Sequence, residues 1–306
     1  MRSVIVARGT TPYVEFLAEL PGGDILAIEA PGLAVPPGRL LRRSGDAFAT
    51  VAMLAGVNAP AALSPDGKRL LAAGPLVAGE QASAVIVDLD AWHITRSLPV
   101  KRPFAWIDDH RFFAQSSSAL VVVDLAADTT RPVLDTKPVD EETCIAISDR
   151  RDVVYTATHY SRISALRCGD GSLIWQRPAV RVVHEGMTYA LAIDAQHGEL
   201  VALGIGDHDL LRLDLATGVE RGRDDITGRL PALGLPAANA LHCVARRADG
   251  LVAIGCDRGV LVVRWPDGRC EPSKVGARAI QALAFVRGGT HLLIGGAERN
   301  LRLLPC

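Results

Sequence analysis

Short apolar segments separated by Gly, Asp and Pro turns recur along the whole chain, and their period constrains the fold more than any other feature. The clearest copies share one ending: VIVDLDAW (85–92), VVVDLAAD (121–128) and LRLDLATG (211–218). Weaker copies are ISALRCGDG (163–171), VVRWPDG (262–268) and LRLLPC (301–306). Apolar residues that run into a polar turn read as a strand followed by a hairpin. Two further strands about a tight turn precede each copy. ALSPDGKRLLAAG (62–74) shows them best, with Pro65-Asp66-Gly67 at the turn. The same shape recurs at 17–29, 104–115, 146–158, 192–204, 244–255 and 284–295.

The unit is therefore four strands, a to d. Equivalent positions in strand c are Asp88, Asp124, Arg167, Asp214, Arg264 and Pro305, separated by 36, 43, 47, 50 and 41 residues. A period of about 43 with four strands per unit is the signature of a β-propeller. The 306 residues hold seven such units. The expected blades are 12–56, 57–100, 101–138, 139–182, 183–236, 237–275 and 276–306. The last supplies only strands a, b and c. The unassigned strand Ser3 to Arg8 is expected to be its strand d, which closes the ring and leaves no exposed inner edge. The expectation is an all-β, seven-bladed propeller of four-stranded antiparallel blades, a single domain over 1–306.

Composition trims the functions. Lys+Arg is 33 and Asp+Glu 34, a formal net charge of -1, so the basic excess of a phosphate-gripping nucleic-acid binder is missing. Aromatics are 5%, too few for extended base stacking. The apolar run Val4 to Ala7 stops at Arg8, too early for a secretory signal, and no stretch reaches the ~18 apolar residues of a membrane helix. These features point to a soluble cytoplasmic protein with no membrane partner. Lys occurs only at 68, 101, 137 and 274, and this Arg-rich, Ala-rich usage points to a GC-rich bacterial genome. The six cysteines form no C-x-x-C pair, which suits free thiols and offers no zinc site. No P-loop or nucleophile-elbow pattern is present, so no cofactor is expected. Ser116-Ser117-Ser118 reads as a polar turn with no base beside it.

Blade 5, HEGMTYALAIDAQHGELVALGIGDHDLLRLDLATG (184–218), resembles the WD-repeat family of propellers. In that family a His precedes strand a, an Asp occupies the b–c turn, and a Trp-Asp pair closes strand c. His184 and Asp207 match the first two positions; Leu213-Asp214 matches the last, with Leu for Trp. GGAERNLRLL (295–304) matches the b–c region of the last blade, with Glu298 in the Asp position. The motifs are degenerate, so apolar packing takes over part of the role of the family's hydrogen-bond network. The resemblance implies that His184 bonds Asp207 to pin two loops. ISALRCGDGSLIWQ (163–176) is similar to a pyrroloquinoline-quinone enzyme repeat, but only one copy is present, with Trp175 in the signature place.

The candidate site residues lie on the loops of one face. His184 precedes strand a of blade 5, with Met187 beside it, and His208 sits in that blade's b–c turn. A His next to carboxylates can act as a general base or metal ligand; the pinning role fits better here. Tyr160 and Arg162 lie in the b–c turn of blade 4, and both types are favoured at interfaces. Arg258 and Arg299 occupy the equivalent turns of blades 6 and 7. Together Arg162, Arg258 and Arg299 form an expected rim that suits an acidic peptide or phosphate. Around the central channel, referenced to Tyr13, Pro60, Pro103, Thr143, Thr188, Ala240 and Ala279, the oxygen-bearing residues are Glu15, Asn58, Glu141, Glu142, Asn239 and Gln281. Their mixed offsets argue against convergence on a metal. Two long loops stand out, Pro31 to Gly38 and Asp225 to Asn239. Leu230, Leu233 and Leu235 of the second either pack on the blades or form a partly exposed apolar lip. The expected function is a non-catalytic, monomeric WD-repeat-like scaffold that binds a protein or peptide. The alternatives are a hydrolase or lyase using the central pocket, or a ligand-sensing module.

Overall fold

The computed structural model describes residues 4–8, 14–29, 38–44, 47–74, 83–135, 142–158, 162–177, 188–204, 209–226, 228, 230–231, 234, 241–298 and 300–306. They form seven four-stranded antiparallel sheets, the blades of a β-propeller, and contain no α-helix. The first six expected blade limits each enclose four strands, and the seventh encloses three. The chain divides into two compact units: Met1–Ala59 with His208–Leu210 and Asp224–Cys306, and Pro60–Asp207 with Leu211–Arg223.

In the first unit, blade 1 runs β2 (Val14–Glu19), β3 (Ile25–Glu29), β4 (Gly38–Ser44) and β5 (Ala47–Leu54). Blade 6 runs β22 (Leu241–Arg246), β23 (Val252–Cys256), β24 (Val260–Arg264) and β25 (Cys270–Lys274). Blade 7 is β26 (Ile280–Val286), β27 (His291–Gly296) and β28 (Asn300–Pro305), completed by β1 (Val4–Arg8). β1 pairs antiparallel with β28 as the outer strand, so the N-terminal strand finishes the last blade as its sequence position implies.

The second unit holds blade 2, of β6 (Asn58–Leu63), β7 (Arg69–Ala73), β8 (Ala84–Asp88) and β9 (His93–Leu98). Blade 3 is β10 (Lys101–Trp106), β11 (Arg111–Gln115), β12 (Ala119–Asp124) and β13 (Thr129–Asp135). Blade 4 is β14 (Glu142–Ile147), β15 (Val153–Thr158), β16 (Ile163–Arg167) and β17 (Leu173–Arg177). Blade 5 is β18 (Thr188–Asp194), β19 (Glu199–Gly204), β20 (Asp209–Asp214) and β21 (Glu220–Asp225).

The repeated Asp at the end of strand c has a local cause. Asp88 Oδ1 accepts the N–H groups of Asp90 and Ala91 at 2.9 and 2.8 Å. Asp124 does the same for Ala126 and Ala127, and Asp214 for Ala216 and Thr217. A carboxylate that caps the two following amides fixes the c–d hairpin. Middle strands are buried on both faces: β3, β24 and nearly all of β12 have no exposed residue. Outer strands alternate instead, as β21 and β9 do. That contrast is why the middle strands read as continuous apolar runs and the outer ones do not.

A bulge recurs near the start of the inner strand. The pairing of strands a and b skips one residue at Glu15, Thr143, Tyr189, His242 and Gln281. This corrects the channel alignment. The equivalent positions in blades 4 and 5 are set by the bulges at Thr143 and Tyr189, so the references at Thr143 and Thr188 are shifted by two and one from those at Tyr13 and Ala279. An extruded residue leaves no mark in an apolar pattern, which explains the slip.

Blade 1 encloses an ion pair. Arg39 Nη2 lies 2.5 Å from Glu29 Oε1, with side-chain exposures of 2% and 0%. Arg39 Nη1 also donates to Thr50 Oγ1 at 3.3 Å. Burial pulls the Arg39 pKa below its ordinary value, and the Glu29 carboxylate opposes that pull. Removing one partner of such a pair leaves a buried charge without compensation. Arg39→Ala is expected to cost about 3–5 kcal/mol, while Glu29→Leu with Arg39→Met recovers most of it. Urea unfolding of the three proteins checks this; a single variant as stable as wild type would contradict the pair's role.

Candidate functional site

In the first unit the b–c turns of blades 6 and 7 lie on the same face as the connection between those two blades. The b–c turn of blade 6 is a tight 3-10 turn, Asp257–Gly259. Arg258 has φ 53° and Gly259 φ 71°, both left-handed. Five non-glycine residues adopt such a φ among the described residues, and Arg258 is the one in a b–c turn. Gly259 is required by close approach: a β-carbon there would sit 2.2 Å from the Gly276 carbonyl oxygen. Two N–H groups, of Val275 and Gly276, donate to the Gly259 carbonyl at 2.9 and 3.3 Å. Lys274 Nζ donates to the Arg258 carbonyl at 2.9 Å. The turn that presents the exposed Arg258 is thus tied to the blade 6–7 connection by three bonds.

Glu298, in the b–c turn of blade 7, ties the same connection from the other side. Its carboxylate accepts the N–H groups of Ala277 and Arg278 and pairs with Arg302 Nη2 at 3.0 Å. Glu298 thus holds the connection through its backbone amides. Between them lies a shallow depression of about 250 Å³, including space open to solvent, lined by Gly276, Arg278, Ile294, Gly296, Glu298 and Arg302 among others. Arg258, Lys274 and Arg278 are exposed around it. Nearby, His242 Nε2 lies 3.6 Å from Asp257 Oδ1. Glu298 is matched by Arg302, and among the described residues of this cluster the fully exposed charges are the cations Arg258, Lys274 and Arg278.

Of the residues singled out in the sequence, Arg258 stands in this cluster. Arg162 belongs to the second unit, where the blade 4 turn closes on itself. The Arg162 N–H donates to Thr158 Oγ1 at 3.1 Å, and its carbonyl accepts the Thr158 N–H at 3.0 Å. Tyr160, His184, Met187, His208 and Arg299 lie outside the described residues, as do Asp207, Leu233 and Leu235. Leu230 is fully buried, which removes it from any exposed apolar lip. Ser116-Ser117-Ser118 is a turn in which Ser116 Oγ accepts the Ala119 N–H at 3.0 Å. Sequence reasoning missed Lys274, Arg278, Arg302 and His242. The signal was available for the first two: the connection between blades shares a face with the b–c turns, so its basic residues belong on the same rim.

Among the described residues, no three His, Cys, Asp or Glu side chains are grouped to hold a metal. No helix among the described residues is long and apolar enough to cross a membrane. No protein-family model matches the chain, and no curated protein matches it.

Burial pushes the Cys168 and Cys256 thiols up to about 12, with Asp152 and Asp257 adding to the effect. Cys243 is pushed up in the same way, first by burial and then by Cys256. Cys270 is exposed. Alkylation of the native protein at neutral pH should therefore label Cys270 first and leave Cys168, Cys243 and Cys256 unreacted until unfolding. Peptide mass spectrometry checks this; early labelling at Cys243 would refute it.

For Glu298, burial alone raises the carboxyl pKa, but the Ala277 N–H, Arg302 and the Arg278 N–H outweigh it and hold the value below normal. A depressed carboxyl stabilises the fold above its unfolded value of about 4.3, and that contribution is lost as pH falls through the lower folded value. Glu298→Gln is expected to lower Tm at neutral pH, with the gap to wild type closing in acid below that folded value. A gap that stays constant across the titration would show that the carboxylate charge contributes nothing.

Proposed function

We propose that this β-propeller is a non-catalytic interaction scaffold, of WD-repeat type, that holds an acidic protein or peptide against the face carrying its b–c turns. The observation that carries this reading is the clamped basic turn. Arg258, Lys274 and Arg278 are exposed together, on backbone held by the Gly259, Arg258 and Glu298 bonds. A prearranged cationic surface loses little ordering entropy on binding, where each side chain that must be immobilised costs about 0.5–1.5 kcal/mol. An acidic segment supplies the complementary charge, and Arg in particular forms two-pronged bonds to carboxylates. The partner-binding set proposed from sequence is Tyr160, Arg162, His184, Met187, His208, Arg258 and Arg299. Lys274 and Arg278 join it from the blade 6–7 connection. The setting that fits the composition is a bacterial cytoplasm.

The test is affinity purification with the wild type and with Arg162→Glu/Arg258→Glu. The variant is expected to keep its Tm and lose its co-purifying protein by at least a tenfold drop in affinity, about 1.4 kcal/mol. Wild-type binding should also weaken as salt is raised. An unchanged set of partners in a folded variant would refute the reading.

A further inference from the structure

The outer strands are where a propeller blade meets solvent with an unpaired edge, and one of them lacks the usual protection. β5 carries the sequence AFATVAML, eight residues without a charge or a proline. Among the described residues it is terminal in its sheet and paired only with β4. The other six outer strands all carry charge: Arg96 on β9; Arg131 and Asp135 on β13; Arg177 on β17; Arg8 on β1; and several on β21 and β25. β13 and β25 add a proline. Charge and proline are the devices that stop a strand edge from recruiting another strand. On β5 the side chains of Val51 and Met53 are 47% and 40% exposed, and Ala49 and Thr50 are exposed too. A bulge sits at Val51, but equivalent bulges occur at Thr95, Val133 and Ile174, so the bulge does not set β5 apart. β1 lies beside β5, and its only charge is Arg8.

We propose that the β5 edge is a self-association surface, on which a second copy of this chain adds its own β5 as an antiparallel strand. The occupant follows from the chemistry of the edge. Unpaired backbone donors and acceptors select a strand. Antiparallel pairing has two-fold symmetry, so each β5 meets the same sequence in reverse. Like charges placed opposite one another would oppose that, and β5 has none. A two-fold axis near Val51 sets Val51 and Met53 of each copy among Ala49, Val51 and Met53 of the other. One strand edge buries less than the roughly 1,200 Å² of a tight complex, so the association is expected in the micromolar range.

Sedimentation velocity from about 1 to 200 µM tests this around the expected affinity. The wild-type mass is expected to rise from monomer toward dimer. Val51→Lys/Met53→Lys should stay monomeric with unchanged circular dichroism and Tm. Mixing it with Val51→Glu/Met53→Glu should restore a dimer of the two variants. Hydrogen exchange of the wild type gives a second reading that needs no variant: amides within 49–53 should become protected as concentration rises. A wild type that stays monomeric throughout would overturn the proposal. So would a charged variant that dimerises as well as wild type, a Lys–Glu mixture that stays monomeric, or amides insensitive to concentration.

Discussion

The middle strands of most blades, such as β3, β12 and β24, are buried on both sides, so a blade cannot stand in water alone. Each face needs a neighbour. In the second unit three interblade cores meet this need. Leu71 and Ile86 of blade 2 pack with Trp106 and Phe112 of blade 3. Phe113 and Leu120 of blade 3 pack with Val154 and Leu166 of blade 4. Tyr155 and Trp175 of blade 4 pack with Leu200 and Leu213 of blade 5. In the first unit Leu251 and Leu261 meet Leu292 and Leu304, and Ile25 and Leu41 meet Leu293 and Leu301. At about 25 cal/mol for each Å² of apolar surface removed from water, such faces dominate the favourable side of folding. Every turn and loop is then positioned by strands that have no alternative partner.

Polar groups set the register of those faces. In the second unit Trp175 Nε1 and Tyr155 Oη both donate to the Leu215 carbonyl, at 2.9 and 3.3 Å. Trp106 Nε1 donates to the Ala62 carbonyl at 3.0 Å, and Arg131 Nη1 to the Asp170 carbonyl at 2.8 Å. In the first unit the Arg287 N–H donates to the Glu19 carboxylate, and Arg247 Nη1 to the Gly289 carbonyl at 3.0 Å. All these bonds run from one blade to the next, several of them to a turn. Apolar packing alone would tolerate sliding of one sheet over another; a directional bond to a turn carbonyl does not. The Trp175 ring also lies where a side chain on Gly218 would be, since a β-carbon there would sit 2.5 Å from the indole.

The blades were readable in the sequence because their punctuation is local. Asp88, Asp124 and Asp214 cap turns two and three residues ahead, so the requirement repeats at the blade period whatever the neighbours are. The N-terminal strand was placed by arithmetic, since three strands at the end need a fourth. The bulges at Glu15, His242 and Gln281 were not readable, because an extruded residue adds length without changing polarity. The Glu29–Arg39 pair was not readable either. It joins residues on adjacent strands of a single blade, and nothing in the apolar pattern announces it. At the candidate site the turn residue Arg258 was found by homology between blades, whereas Lys274 and Arg278 were missed because connections between blades vary in length and share no motif.

The same logic separates the two kinds of surface. In the b–c turns of blades 6 and 7 some residues answer to the fold, as Gly259 does through close approach and Glu298 through its bonds to backbone amides and Arg302. Arg258 is different, because its left-handed backbone carries strain of about 1–3 kcal/mol that a glycine would relieve. Trp92, Asp128, Arg151 and Arg287 adopt the same conformation in other turns, and Arg258 is the one that stands in a b–c turn beside the exposed Lys274. The outer strands carry the opposite message. There the fold needs only one face of each strand, and charge on the other protects the edge. Six strands use that freedom and β5 does not.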